Sequence, residues 1–411
     1  MQKQHHTLTP KPTLLAISLA GMFAAHAHAA TTSASFSGLG VLSNYSESYG
    51  FGVSSDGSVV VGFSSNSTSG QVTSAEAFRW TQATGMQGLG FLSGYSESYA
   101  YGVSSDGSAV VGYVNASNGS EQAFRWTQAG GMQGLGFLSG DSGSYANGVS
   151  SDGSVVVGTS YRSGYLEAFR WTQAGGMQGL GFLSNATLSV ANGVSSDGST
   201  VVGFSGLEAF RWTQAGGMQG LGFLPNATLS AATAVSSDGS VVVGTSTTTS
   251  YSEAFRWTQA TGMVGLGFLP GDARSSAVGV SADGSVVVGI SYSTASTSAT
   301  APVTNHAFRW TQAEGMQSVV AWLAAAKVTV PAGWTLTTAV GTNSDGSVVV
   351  GSGTDPSGND EAFLARVSPV GSGIINPAAF NQSVINTGAS VSLAGANLPE
   401  LSLEGAHHRT L

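Results

Sequence analysis

A phrase of the form SSDGSVVVG occurs seven times along the chain, with its aspartates at Asp56, Asp106, Asp152, Asp197, Asp238, Asp283 and Asp345. Successive aspartates lie 50, 46, 45, 41, 45 and 62 residues apart. A second phrase, EAFRWTQAGGMQGLGFL at 208–224, has close copies beginning at Glu76, Gln122, Glu167, Glu253 and His306. A chain that rewrites one unit in this way repeats one supersecondary structure and stacks the copies, because a single copy cannot bury both of its faces. Seven units fill residues 38–367.

Each unit reads as four short strands. In the second unit these are QGLGFL (87–92), YGVSS (101–105), SAVVG (108–112) and AFRWT (123–127). Asp-Gly between the second and third strands predicts a two-residue hairpin. The QAGGM segment predicts the turn into the next unit. Four short strands per repeat are the signature of a propeller blade. The expected fold is therefore an all-β, seven-bladed β-propeller; the alternative is a β-solenoid, whose repeats are shorter and need no hairpin in each.

Within AFRWT, residues alternate between the two faces of a strand. Phe and Trp share one face and Arg takes the other. Trp80, Trp126, Trp171, Trp212, Trp257 and Trp310 are expected in the core. Six arginines (Arg79, Arg125, Arg170, Arg211, Arg256 and Arg309) cannot form one catalytic cluster and are read as structural. The seven Asp-Gly aspartates are read as turn residues. The seventh unit departs from the pattern. MQSVVAWLAAAKV (316–328) predicts a short helix, and EAFLARV places Leu364 and Ala365 where Arg and Trp should be.

Composition narrows the setting. Lys3 and Lys11, the apolar run at 14–25 and the small-residue sites at 25–29 form a secretory signal peptide over residues 1–29. No later apolar run is long enough to span a membrane as a helix. The mature chain carries 11 basic and 22 acidic residues, a net charge of −11. That charge argues against nucleic acid and anionic membranes as partners. Only 9% of residues are charged and none is cysteine, so an exported chain like this depends on its core rather than on disulfides.

Chemistry-bearing residues are few. The mature chain holds only His306, His407 and His408, so no metal site and no cofactor are expected. There is no nucleophile elbow for a Ser-His-Asp triad. Glu47 and Glu97 sit in matching segments, NYSESYG and GYSESYA, outside the repeated phrases. They are the candidates for hydrogen bonding a sugar or, alternatively, for acid–base hydrolysis.

Tyrosine placement singles out one end of the molecule. With strands alternating in direction, the Asp-Gly and QAGGM turns share a constant end, and the other connections share a variable end. All eleven tyrosines lie in, or at the edge of, the variable segments. Tyr45, Tyr49, Tyr95, Tyr99, Tyr145, Tyr161 and Tyr165, with Glu47 and Glu97, are the candidate ligand-binding residues, because Tyr amid Ser, Gly and Asn suits a recognition surface.

The phrase EAFRWTQAGGMQGLGFLSG, followed by SYANGVSSDGSVVVG, resembles the bacterial extracellular HAF repeat over residues 38–367. The resemblance implies an extracytoplasmic propeller and supplies no catalytic residues. Residues 368–411 change character: INPAAFNQSV predicts a short helix, and LEGAHHRTL resembles the junction before an autotransporter barrel. The reading at this level is an exported, non-enzymatic, monomeric, adhesin-like passenger at the surface or in the periplasm of a Gram-negative bacterium, binding glycan or a cell-surface protein. Its alternatives are a polysaccharide-active hydrolase or lyase and a purely structural repeat protein.

Overall fold

The structure, a computed structural model, describes residues 34–68, 71–293 and 304–367. The signal peptide expected at 1–29 and the tail at 368–411 with its expected helix lie outside the described residues. Seven four-stranded antiparallel sheets make up the fold. The first blade runs outward from Glu47–Val53 through Val59–Thr68 and Gln71–Thr81 to Gly85–Gly88. The seventh is built from Thr335–Thr342, Val348–Thr354 and Asp360–Arg366, and its outer strand is Ser35–Gly38 from the other end of the chain. Phe36 pairs with Ala365 and Gly38 with Phe363, which closes the ring.

This closure shifts the phase of the repeat. QGLGFL is not an inner strand. Only GMQG is extended, and it is the outer strand of the blade whose FRWT precedes it, as in the pairing of Trp126 with Met132. The LGFL residues that follow form a connection whose leucines plug the next seam. Leu89 and Leu92, for example, pack between blades one and two. Glycine-rich sequence without alternating apolar residues cannot sustain a longer strand there.

The Asp-Gly turn is also wider than expected. Ser54 N donates to Val59 O and Gly57 N to Ser54 O, so four residues, Ser55 to Ser58, connect the strands. Gly57 has φ of 70°, while Asp56 keeps a negative φ, which excludes a two-residue type I′ turn. The flanking serines explain the choice. Asp56 Oδ1 accepts from Ser54 Oγ at 2.7 Å and from Ser58 N at 2.9 Å, and Ser54 Oγ accepts from Val59 N.

The core is seven interblade layers rather than one centre. Each layer takes valines from the second strands of two neighbouring blades and one phenylalanine, such as Val59, Val61, Val110 and Phe124 between blades one and two. All seven of these phenylalanines are fully buried: Phe78, Phe124, Phe169, Phe210, Phe255, Phe308 and Phe363. Of the tryptophans assigned to the core, Trp80 and Trp310 are buried. Trp126, Trp171, Trp212 and Trp257 lie at its edge, half-buried against their layers. Nearer the constant turns the wedge between blades opens to solvent.

Polar groups tie the blades together. The six repeat arginines each donate from Nε, at 2.8–3.4 Å, to the glycine carbonyl of the next blade's Asp-Gly turn. In the seventh blade Leu364 holds the arginine register, but Arg366, two residues on and on the same face, donates to Gly57 O at 2.8 Å. The tryptophan missing at Ala365 is replaced in its layer by Trp322 and Leu323 of the helix Val319–Ala325, capped by Ser318. A second set of ties escapes sequence reading. Ser98 Oγ donates to Gly90 O and accepts from Ala77 N of the preceding blade. Ser48, Ser144, Ser189, Ser230 and Ser275 repeat the arrangement. Finally, a closed belt of seven backbone hydrogen bonds rings the axis, from Ser55 N to Ser105 O and onward until Ser344 N meets Ser55 O.

Candidate functional site

The inner strands surround a narrow axial channel. At the constant end it holds a cavity of ≈ 200 Å³ lined by Val53, Ser55 and their equivalents in the other blades. Each inner strand carries a bulge halfway along, as between Gly50 and Gly52 or Ala100 and Gly102. The extra residue bends the strand toward its neighbour. In blades three to five the bulged residue is Asn147, Asn192 or Thr233, and each bonds a carbonyl of the next blade at 2.8–2.9 Å. In blades one and two it is aromatic, Phe51 and Tyr101.

Those rings begin a continuous aromatic arc through blades one to three, in the half of the strands nearer the variable end. Tyr49 contacts Phe63 (5.1 Å between centroids), Phe63 contacts Tyr99 (4.9 Å), and Tyr99 stacks on Tyr113 (4.8 Å, 16°). Tyr113 then meets Tyr145, and Tyr145 meets Tyr161. Phe51 and Tyr101 contact each other edge to face at 4.8 Å. Four of the candidate tyrosines, Tyr49, Tyr99, Tyr145 and Tyr161, therefore belong to one cluster, but as packed strand residues rather than exposed loop tips. Tyr45 and Tyr95 are not in it; each packs beneath a seam, between blades seven and one and between blades one and two. Tyr165 stands apart under the Arg162 guanidinium, 4.0 Å from its ring, with its hydroxyl on Glu167.

Carboxylates punctuate the arc. Glu47 Oε2 accepts from Ser67 Oγ (2.8 Å) and Tyr49 Oη (3.4 Å), and Tyr49 also donates to Asp360 of the seventh blade at 2.8 Å. Glu97 Oε2 accepts from Asn115 Nδ2 (2.9 Å) and Tyr99 Oη (3.2 Å). Glu121 accepts from Tyr161 Oη at 2.6 Å. Glu97, Asn115 and Glu121 occupy one cross-strand row of blade two, Glu97 beside Asn115 and Asn115 beside Glu121. Asn115 Oδ1 is buried without a partner between them. Glu121 and Asp360 went unnoticed in the sequence because their roles depend on partners 40 and 311 residues away.

The phenols behave as donors. Burial, reinforced by Glu97, pushes the Tyr99 pKa up; burial also raises Tyr113 and Tyr145, and burial with Glu121 raises Tyr161. Protonated phenols at neutral pH offer hydrogen bonds but no nucleophile. None of the ion pairs among the described residues involves Glu47, Glu97, Glu121 or Asp360; the pairs are Arg162–Asp141, His306–Asp272 and Arg309–Glu314. The site is an aromatic wall bearing neutral donors and uncompensated negative charge. Among the described residues no group of three or more His, Asp or Glu side chains is arranged to hold a metal.

No family model matches the chain, and no curated protein matches it. Solved structures do. The β-propeller domain of the Trilobed protease from Pyrococcus furiosus aligns with a TM-score of 0.51 at 7% identity, covering 82% of this chain and 99% of that one. A prolyl endopeptidase aligns at 0.50 and 12% identity, over 79% of this chain and 50% of the other. An oligogalacturonate lyase in complex with manganese gives 0.49 and 13%, covering 82% and 97%. TolB from Acinetobacter baumannii gives 0.40 and 13%, and this chain spans 59% of its length. These likenesses bear on the fold alone. They correct one expectation: the propellers matched at 0.50 or above are the propeller domain of one protease and a prolyl endopeptidase, so the fold gives no ground for a non-enzymatic, adhesin-like passenger. Packing the tyrosines into strands removes the other ground, a free tyrosine-rich loop surface.

Proposed function

We propose that this exported propeller is a polysaccharide-active hydrolase acting on uncharged glycans, with the arc of blades one to three as its site. The observation that carries this reading is the row Glu97–Asn115–Glu121 set among five tyrosines. Two carboxylates on the first and third strands of one sheet have Cα atoms about 10 Å apart, twice the strand spacing. Carboxyl groups on such a base reach the roughly 6.5–9.5 Å separation of inverting glycosidases. In that chemistry one carboxyl of the pair activates water as base and the other protonates the leaving oxygen. Tyr113 and Tyr145, both partly exposed, offer ring surface for a pyranose, with the buried Tyr99 stacked behind Tyr113. Uncompensated carboxylates repel a polyuronate, which favours hydrolysis of a neutral chain over lyase chemistry on an acidic one.

The test is release of reducing ends from a panel of neutral polysaccharides by residues 30–411. Glu97→Gln and Glu121→Gln should each lower turnover at least a hundredfold, in line with loss of a general acid or base, with little change in melting temperature. Folded protein without turnover on the panel would overturn the reading. A structural role is the second reading, favoured by the hydrogen bonds that already occupy each arc carboxylate. In that case Glu97→Gln should destabilise the protein and no substrate should turn over.

A further inference from the structure

The cross-strand row that carries Glu97, Asn115 and Glu121 in blade two has counterparts in the neighbouring blades, and its chemistry changes around the rim of the variable end. In blade one it is Glu47, Ser65 and Ala75. In blade three it is Gly143, Tyr161 and Leu166. In blade four it falls on Leu188 and on the hairpin turn itself, Gly206-Leu207, with Gly206 N donating to Leu188 O. In blade five it is Leu229, Thr247 and Ser252. The carboxylates therefore end at Glu121, and leucines fill the next two seams.

Those leucines form one strip continuous with the arc. Tyr161, the last ring of the arc, leans over Gly143 to reach Glu121, and its cross-strand neighbour on the same face is Leu166. Leu166 bridges to Leu188 of blade four. Leu207 O accepts from Ser230 N, next to Leu229 of blade five. None of the four leucines packs into a core layer between blades. Leu207 is 64% exposed and Leu229 37%, while Leu166 and Leu188 are half-buried. The hairpins of blades three and five run past the row, to Arg162 and Tyr165 and to Thr248 and Tyr251, whereas that of blade four ends at it and leaves the strip uncovered. Other blades place Ala75, Ser252 or Asn305 where Leu166 and Leu207 stand, so the fold does not require an apolar side chain there.

We propose that the strip holds an aliphatic group, alkyl or acyl, carried by the glycan bound on the arc, which makes the substrate class a neutral glycan with an aliphatic substituent. Four leucines, two of them half-buried, present well under the roughly 800 Å² that each partner contributes to a standard protein interface. The carboxylates beside them repel an anionic membrane surface. A chain of a few carbons tethered to a sugar on the arc fits both the size of the strip and its continuity with the tyrosines. The identity of the substrate rests on the hydrolase reading of the arc; binding on the strip needs no turnover.

Isothermal titration of residues 30–411 with hexyl β-maltoside, and with maltose as the chain-free sugar, tests it. Saturable one-to-one binding of the hexyl glycoside is expected at millimolar concentration or below, at least about tenfold tighter than maltose, the effect of burying about two methylenes. Leu207→Ser and Leu229→Ser, at exposed positions outside the core layers, should each cut that advantage at least about threefold with no change in melting temperature. Val264→Ser, on the outer strand of blade five and 48% exposed, should leave it intact. No saturable binding of the hexyl glycoside, a smaller advantage over maltose, or an advantage that survives both leucine substitutions would each overturn the proposal. Self-association of the protein abolished by Leu207→Ser would assign the strip to a second copy and overturn it too. Binding that depends on the hexyl chain, without turnover of any glycan, would uphold the strip and remove the hydrolase reading. Turnover of unsubstituted glycans without a hexyl advantage would do the reverse.

Discussion

Replacing Ser230 with alanine isolates the contribution of one interblade tie. Ser230 is 1% exposed. Its Oγ accepts from Ala209 N at 2.9 Å and donates to Gly222 O at 2.7 Å. Ala209 is fully buried, so its amide has no water to turn to once the hydroxyl is gone. A buried donor left unsatisfied costs about 1–3 kcal/mol. Gly222 is partly exposed and its carbonyl recovers part of its loss from solvent, so the expected total is about 2 kcal/mol. At roughly 2 °C per kcal/mol for a chain of this size, the melting temperature should fall by about 4 °C. Urea unfolding should show a lower midpoint with an unchanged slope, because the surface exposed on unfolding is the same. Hydrogen exchange reads the tie directly: the Ala209 amide should lose protection while the Phe210 amide keeps it. Ser240→Ala, at an exposed turn, serves as control and should stay within about 0.5 kcal/mol of the parent. Ser98→Ala, three blades away and in the same surroundings, should cost about as much, and the double variant should show the sum. An unchanged midpoint with full protection at Ala209 would refute the claim that these serines hold the blades together.

Other outcomes follow from the same geometry. Gly203→Ala should lose more than about 3 kcal/mol or fail to fold, because an added Cβ would collide with the Val190 carbonyl, and backbone cannot move aside cheaply; soluble yield and urea midpoint measure this. Arg366→Ala removes the arginine clasp between blades seven and one and should lower stability by about 1–2 kcal/mol, with blade seven opening first in hydrogen exchange. Acid should weaken the turns. Ser154 N and Ser150 Oγ lower the Asp152 pKa to about 2, and Ser236 Oγ and Ser240 N do the same for Asp238. Because the folded pKa lies below the unfolded one, the stabilisation is complete above about pH 4 and is lost as pH falls toward 2. Asp152→Asn should flatten that part of the stability–pH curve, which fluorescence melts across pH 2–6 would show.

Repetition alone settles much of this protein. Seven recurrences of Asp-Gly, each between strand-like phrases, leave few architectures other than a seven-bladed ring, since each unit needs a neighbour on both faces. The turn aspartates and the structural role of the repeat arginines were also legible, because their partners are written in every copy. What the tertiary structure decided are the features that depend on residues far apart in the chain. The strand Ser35–Gly38 completes blade seven, which moves the start of every blade past GMQG. Arg366 and Trp322 replace an arginine and a tryptophan that the local pattern shows as lost. The serine ties were hidden in variable words, since a serine's surroundings depend on the blade behind it. The tyrosines looked like loop residues because spacing cannot tell a strand's outer half from the loop beyond it; packing made them a wall. Glu121 and Asp360 joined the site only through hydroxyls carried by other blades. Local sequence specifies strands and turns through short-range sterics and hydrogen bonds, whereas a site shared among blades exists only once the ring has closed.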